Sequence, residues 1–137
     1  AEGDQLKPEY EKKIRDRYYP SGYWKDTEDW FDKRLNSKEL EVPGDKTRYI
    51  DEKTKQPALK SEATIDHHPI MVAEHWNDRG GNNMNQKGRA IYFNDTNNHR
   101  IVDKRVNSSD GAKARVAGLL YKPKVGPDFR GPDDKEG

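Results

Sequence analysis

The sequence predicts an α+β fold, and three observations carry that prediction. Tyr10, Ile14 and Tyr18 recur at i, i+4 and i+8, the spacing that puts side chains on one face of a helix. Two short stretches, Glu62 to His67 and His99 to Lys104 around Ile101-Val102, read as strands. After Asn107, the apolar series Ala112, Val116, Leu119 and Leu120 reads as a helix that must end before Pro123.

In chain order, a first helix is expected over residues 8–19. Pro8 suits its first turn, Glu9 and Glu11 suit the positive end of its dipole, and Pro20 stops it. Its apolar stripe is a packing face. A second helix is predicted from the cap candidate Thr27 through Trp30, Phe31 and Leu35. Residues 36–60 are polar, with turn signals at Pro43-Gly44 and Pro57, and are expected to form an extended arm or short strands around Tyr49-Ile50. Beyond the first strand, a short helix is expected over 69–76, a Gly/Asn loop over 78–83 and a helix over 84–93 with Ala90, Ile91 and Phe93 as its apolar contacts. From Lys124 the chain is rich in Gly, Pro and acid, a composition that suits an irregular or disordered tail. This divides the chain into an N-terminal helical or extended region (1–60), a core (61–122) and an irregular tail (123–137).

Composition narrows the possible chemistry. Only 30% of the 137 residues are hydrophobic and 37% are charged, so the core must be thin, although three Trp, seven Tyr and three Phe each bury a large area. There is no cysteine, which excludes disulfides and thiolate metal sites. No apolar run approaches a membrane span or a signal-peptide core, so no export address is expected in these residues. The formal charge of +1 hides an uneven distribution: residues 98–125 carry seven basic side chains against two acidic ones. Arg100, Lys104, Arg105, Lys113 and Arg115 belong to that stretch and are candidates to face phosphate.

The chemistry-bearing residues lie beside it. Asp66-His67-His68-Pro69 is followed by Asn98 and Asn107. Asp66 offers a hard carboxylate oxygen to a divalent cation and Asn107 a carboxamide oxygen. A neighbouring histidine can then take a proton from water, if its imidazole is neutral near pH 7 and held by a hydrogen bond, which Asn98 could make. Two registers are open: Asp66 as ligand with His67 as base, or His67 as ligand with His68 as base. The first is preferred, because a carboxylate pairs naturally with a carboxamide in an oxygen-rich Mg²⁺ site. Asn97 could stand in for Asn98, and Asn107 could serve as a helix cap as well as a ligand. His75, beside Trp76 and Asn77, is a possible accessory residue, with a structural place in the core as its equal alternative.

The order and spacing of Ile65-Asp66-His67-His68-Pro69, Asn98-His99-Arg100-Ile101-Val102 and Asn107-Ser108-Ser109 resemble the HNH, or ββα-metal, endonucleases. The match is closest to the Asp-His/Asn variant in the HNH domain of RNA-guided CRISPR nucleases. The intervening Glu74-His75-Trp76-Asn77, Gly80-Gly81-Asn82-Asn83 and Tyr92-Phe93-Asn94-Asp95 are similar to C-terminal nuclease domains of bacterial polymorphic toxins. The resemblance implies a ββα-metal core at about 62–120 and a metal-dependent DNase that hydrolyses phosphodiester bonds. It would use Mg²⁺, with Mn²⁺, Ni²⁺ or Zn²⁺ as alternatives. It also implies an effector toxin that is secreted or injected within a larger protein, acts in the target-cell cytoplasm, and is neutralised by a small acidic immunity protein. RNA is a second possible substrate. A non-catalytic protein- or carbohydrate-binding domain is the competing class, and a metal requirement for cleavage separates the two.

Overall fold

Pro8 opens the first helix as predicted, but that helix is short. A computed structural model describes residues 5–106, 121–132 and 134, and in it the stretch from Pro8 forms two helices, α1 (Pro8–Glu11) and α2 (Ile14–Tyr18). A tightened turn at Lys12-Lys13, closed by a bond from Lys13 N–H to Tyr10 O at 3.0 Å, interrupts the expected single helix. The stripe survives the interruption, with Ile14 and Tyr18 buried and Tyr10 packed against them. Next come α3 (Lys25–Leu35), β1 (Arg48–Ile50), β2 (Pro57–Leu59), β3 (Ala63–His67), α4 (Val72–Asp78), α5 (Gln86–Phe93) and β4 (His99–Asp103). The described residues thus form a small α+β protein with two antiparallel two-stranded sheets, β1 with β2 and β3 with β4.

Several local expectations need correction. Thr27 is not the cap of α3; the helix starts two residues earlier and buries Thr27, while Asp26 and Glu28 supply the acidic first turn that its dipole favours. Helix α4 begins at Val72 rather than Pro69. In α5 the cap is Asn85, whose side-chain oxygen accepts from Gly88 N–H at 2.8 Å. Ile91 is not a core contact: it is 52% exposed, because it lies about 200° around the helix from both Arg89 and Phe93, which face inward.

The chain divides into two compact units, each woven from separate segments. The first draws on Ala1–Tyr23, Ile70–Asp95 and Leu119–Gly137. Its core gathers Ile14, Tyr18, Tyr19, Trp76, Phe93, Val125 and Phe129. Within the tail, residues 121–132 are therefore packed rather than disordered. Leu6 N–H bonds to Pro123 O at 2.7 Å, Gly126 N–H to Asn82 O at 3.0 Å and Arg130 N–H to Met84 O at 3.1 Å. Gly126 is needed there, since a Cβ would stand 2.3 Å from Asn83 Oδ1.

Arg89 holds this unit together. It is fully buried, and its guanidinium donates to Tyr18 O at 2.8 Å, Gly81 O at 3.2 Å, Met84 O, Gln86 Oε1 and Arg130 O. Tyr18, Trp76 and Phe129 surround the cation with ring faces. One side chain thus satisfies acceptors from α2, the α4–α5 connection and the tail, which otherwise share no regular element.

The second unit, Trp24–Pro69 with Thr96–Gly118, holds both sheets. Leu35, Leu40, Tyr49 and Ile101 form its core. The loop after β1 is tied to β4 by two carboxylates. Asp51 is buried and accepts from Asp103 N–H at 2.6 Å, and from Lys53 and Thr54 N–H at 2.7 and 2.9 Å. Glu52 accepts from Ile101 N–H at 3.0 Å and pairs with Arg34 at 3.0 Å.

Candidate active site

Strand β3 delivers Asp66 and His67 to its C-terminal end, and β4 begins opposite them. The antiparallel register sets Asp66 across from Arg100 and His67 across from His99. Successive strand residues point to opposite faces, so the two pairs lie on different sides of the sheet. On one side Arg100 Nε donates to Asp66 Oδ2 at 2.7 Å, with both side chains about one-fifth exposed. On the other, the His67 and His99 rings meet edge to face, their centroids 4.9 Å apart, and Trp30 packs against His99 at 5.6 Å. His67 is 8% exposed.

His68 follows the end of the strand and differs from the other three histidines in being exposed. Its N–H donates to Asn98 O at 2.9 Å, so Asn98, buried at the end of a short 3₁₀ turn (Thr96–Asn98), fixes the His68 backbone through its own carbonyl. The structure thus brings Asp66, His67, His68 and Asn98 to one end of the β3–β4 pair. Residues 104–106 are helical and follow β4 directly. Asn107, Lys113 and Arg115 lie outside the described residues.

His75 stands in the first unit, in the core. Its ring stacks on Tyr92 with centroids 3.7 Å apart, and its Nδ1 lies 2.7 Å from Tyr19 Oη. Burial, with a smaller contribution from the positive Arg89, lowers its pKa to about 4, so it is neutral at physiological pH. Burial also raises the Tyr19 pKa, keeping that hydroxyl protonated. Gly81 leaves the room this pair needs: a Cβ there would stand 2.2 Å from Tyr19 Oη and 2.8 Å from His75 Nδ1.

Three of the five described cations of the basic stretch have carboxylate partners. Besides Arg100 with Asp66, Lys104 lies 3.3 Å from Glu62 and Arg105 lies 3.0 Å from Asp103. Arg105 also lowers the Asp103 pKa, through its guanidinium first and its backbone N–H second. The Lys104 and Arg105 side chains are 58% and 71% exposed, so water screens both pairs and a phosphate could displace the carboxylates at little cost. Among the described residues, no group of three or more His, Asp or Glu side chains is arranged to hold a metal ion.

Sequence reasoning overlooked Asp51, Glu52 and Arg89. Their bonds run to backbone groups 49 to 52 residues away for the two carboxylates, and up to 71 for Arg89, so no local pattern marks them. The turn-forming run Asp51-Glu52-Lys53-Thr54 was the available hint for the first. Comparison with family models, with curated proteins and with solved structures finds no match to this chain.

Proposed function

We propose that this chain is a divalent-metal-dependent endonuclease of the ββα-metal kind. The observation that carries the proposal is the β3–β4 pairing, which sets Asp66 opposite Arg100 and His67 opposite His99 and brings His68 N–H to Asn98 O, with helical residues starting directly after β4. This supports the strand, strand, helix order that the motif resemblance implies.

Asp66 supports the reading, because it offers a carboxylate oxygen of the kind a hard cation takes. Asp66 is reachable from solvent and already carries a positive group on Oδ2, while no described donor reaches its Oδ1. Asn107 would add a carboxamide oxygen, and water would complete a site of this kind, since Mg²⁺ binds through few protein ligands. Such a cation would supply charge neutralisation at the scissile phosphate. Exposure favours His68 over His67 as the proton acceptor: it is open to water, whereas His67 packs against His99. His68 also comes two residues after Asp66, the spacing that returns an extended chain to the same face. The Asn98 carbonyl would hold the His68 backbone during proton transfer, and Lys104 and Arg105 would exchange their carboxylates for phosphate.

The motif resemblance supports the biological part of the proposal: DNA as substrate, an effector toxin acting in the cytoplasm of a target cell, and an immunity protein in the producer. Plasmid cleavage that needs Mg²⁺ and stops with chelator tests the reading. The pairing of Arg100, Lys104 and Arg105 with carboxylates favours a second reading, a non-catalytic protein- or carbohydrate-binding domain. Such a domain leaves plasmid intact at every metal concentration.

A further inference from the structure

The second unit contains a cleft of about 680 Å³ that the nuclease reading does not use. It lies between the C-terminal end of α3, the Pro43-Gly44 turn and the starts of β1 and of the segment leading into β3. Lys38, Lys46, Arg48 and Lys60 line it against Glu41 and Asp45, an excess of two positive charges. One of the two carboxylates is committed to the turn: Asp45 Oδ1 accepts from Thr47 N–H at 2.9 Å and from its hydroxyl at 2.6 Å, and Arg48 stands 3.9 Å from Oδ2. Lys60 is pre-positioned by a 2.9 Å bond from Nζ to Asn36 Oδ1. Lys38 and Lys46 are exposed, with no described carboxylate within ion-pair distance.

We infer that this cleft binds a phosphate ester carried on a nucleotide. Four cations converge on a concavity whose volume falls in the range of small-molecule sites and exceeds that of a bare phosphate. Lysine ammonium groups act as point charges on phosphate, and Arg48 can add a two-pronged contact. Leu35 and Val42 give the wall an apolar part for a sugar or base. The cleft is distinct from the candidate active site. None of the residues that line it belongs to that site.

The test is binding by the full-length chain in EDTA, which excludes cleavage and does not depend on the nuclease reading. A fluorescently labelled single-stranded oligonucleotide serves as probe, with adenosine monophosphate and inorganic phosphate as competitors. Lys38→Gln, Lys46→Gln and Arg48→Gln combined should weaken binding about tenfold and flatten its salt dependence, whereas Lys12→Gln with Lys33→Gln should leave it within about twofold. Competition by the monophosphate would assign the cleft to free nucleotides; its absence would assign it to the polynucleotide backbone. The inference is overturned if the unaltered chain binds none of the three, or if the cleft and control variants bind alike while circular dichroism shows both folded.

Discussion

Arg100 Nε lies 2.7 Å from Asp66 Oδ2 across the β3–β4 register, so the carboxylate best suited to hold a cation already holds one. This pair is shielded more than the Lys104 and Arg105 pairs and should contribute on the order of 1 kcal/mol. If Asp66 is a metal ligand, Arg100 competes with the metal. Arg100→Gln should therefore tighten Mg²⁺ or Mn²⁺ binding by up to about fivefold in calorimetry, while Asp66→Ala should abolish it. Equal affinity in Asp66→Ala and the unaltered chain would remove Asp66 from the ligand set.

The two adjacent histidines should separate in their effects. His68→Ala should lower cleavage by roughly 10²- to 10⁴-fold, the usual contribution of a proton acceptor, and leave the melting temperature nearly unchanged because the side chain is exposed. His67→Ala should instead lower stability by about 1–2 kcal/mol through lost packing against His99. A dead but fully stable His67→Ala together with an active His68→Ala would restore His67 as the base.

Stability should fall as pH drops from about 6.5 towards 4, and His75 is the reason. Its folded pKa is depressed from 6.5 to about 4, so in this window the unfolded chain binds a proton that the folded chain refuses. Unfolding is thereby favoured as acid is added, by up to about 3 kcal/mol once the lower value is reached. The depressed Asp103 acts below this range, since its ordinary value is 3.8. Urea titrations of His75→Phe, which keeps an aromatic ring against Tyr92, should show a flatter profile between pH 6.5 and 4. An unchanged profile would assign the acid sensitivity elsewhere.

Arg89→Leu should cost about 3–5 kcal/mol, because several buried carbonyls lose their donor at once. Arg89→Lys should recover only part of this, since an ammonium cannot reach acceptors spread around a planar fork. Denaturant midpoints measure both, and a loss below 1 kcal/mol in Arg89→Leu would show that water satisfies those carbonyls.

The sheet that carries the candidate site was legible in the sequence because its signal is local. Ile65, Ile101 and Val102 mark short buried runs, and the polar residues at their ends fall where β3 stops and β4 starts. Helix α5 was legible for the same reason, but not its face, since eight residues give a weak period and Ile91 belongs to the exposed side. The tail was not legible: Val125 and Phe129 are isolated apolar residues among Gly and Pro, and long-range bonds to acceptors such as Asn77, Asn82, Asn83 and Met84 hold the segment inward. The charge count likewise located the basic stretch without revealing that β-sheet register and neighbouring carboxylates pair three of its cations.

Incubation of the purified chain with supercoiled plasmid, with Mg²⁺ or with EDTA, tests the central claim most directly, using Asp66→Ala as control. The nuclease account predicts nicked and linear DNA with Mg²⁺, intact plasmid with EDTA, and intact plasmid with Asp66→Ala under both conditions. Plasmid left intact by the folded, unaltered chain across Mg²⁺, Mn²⁺, Ni²⁺ and Zn²⁺, or cutting that persists in EDTA or in Asp66→Ala, would contradict it.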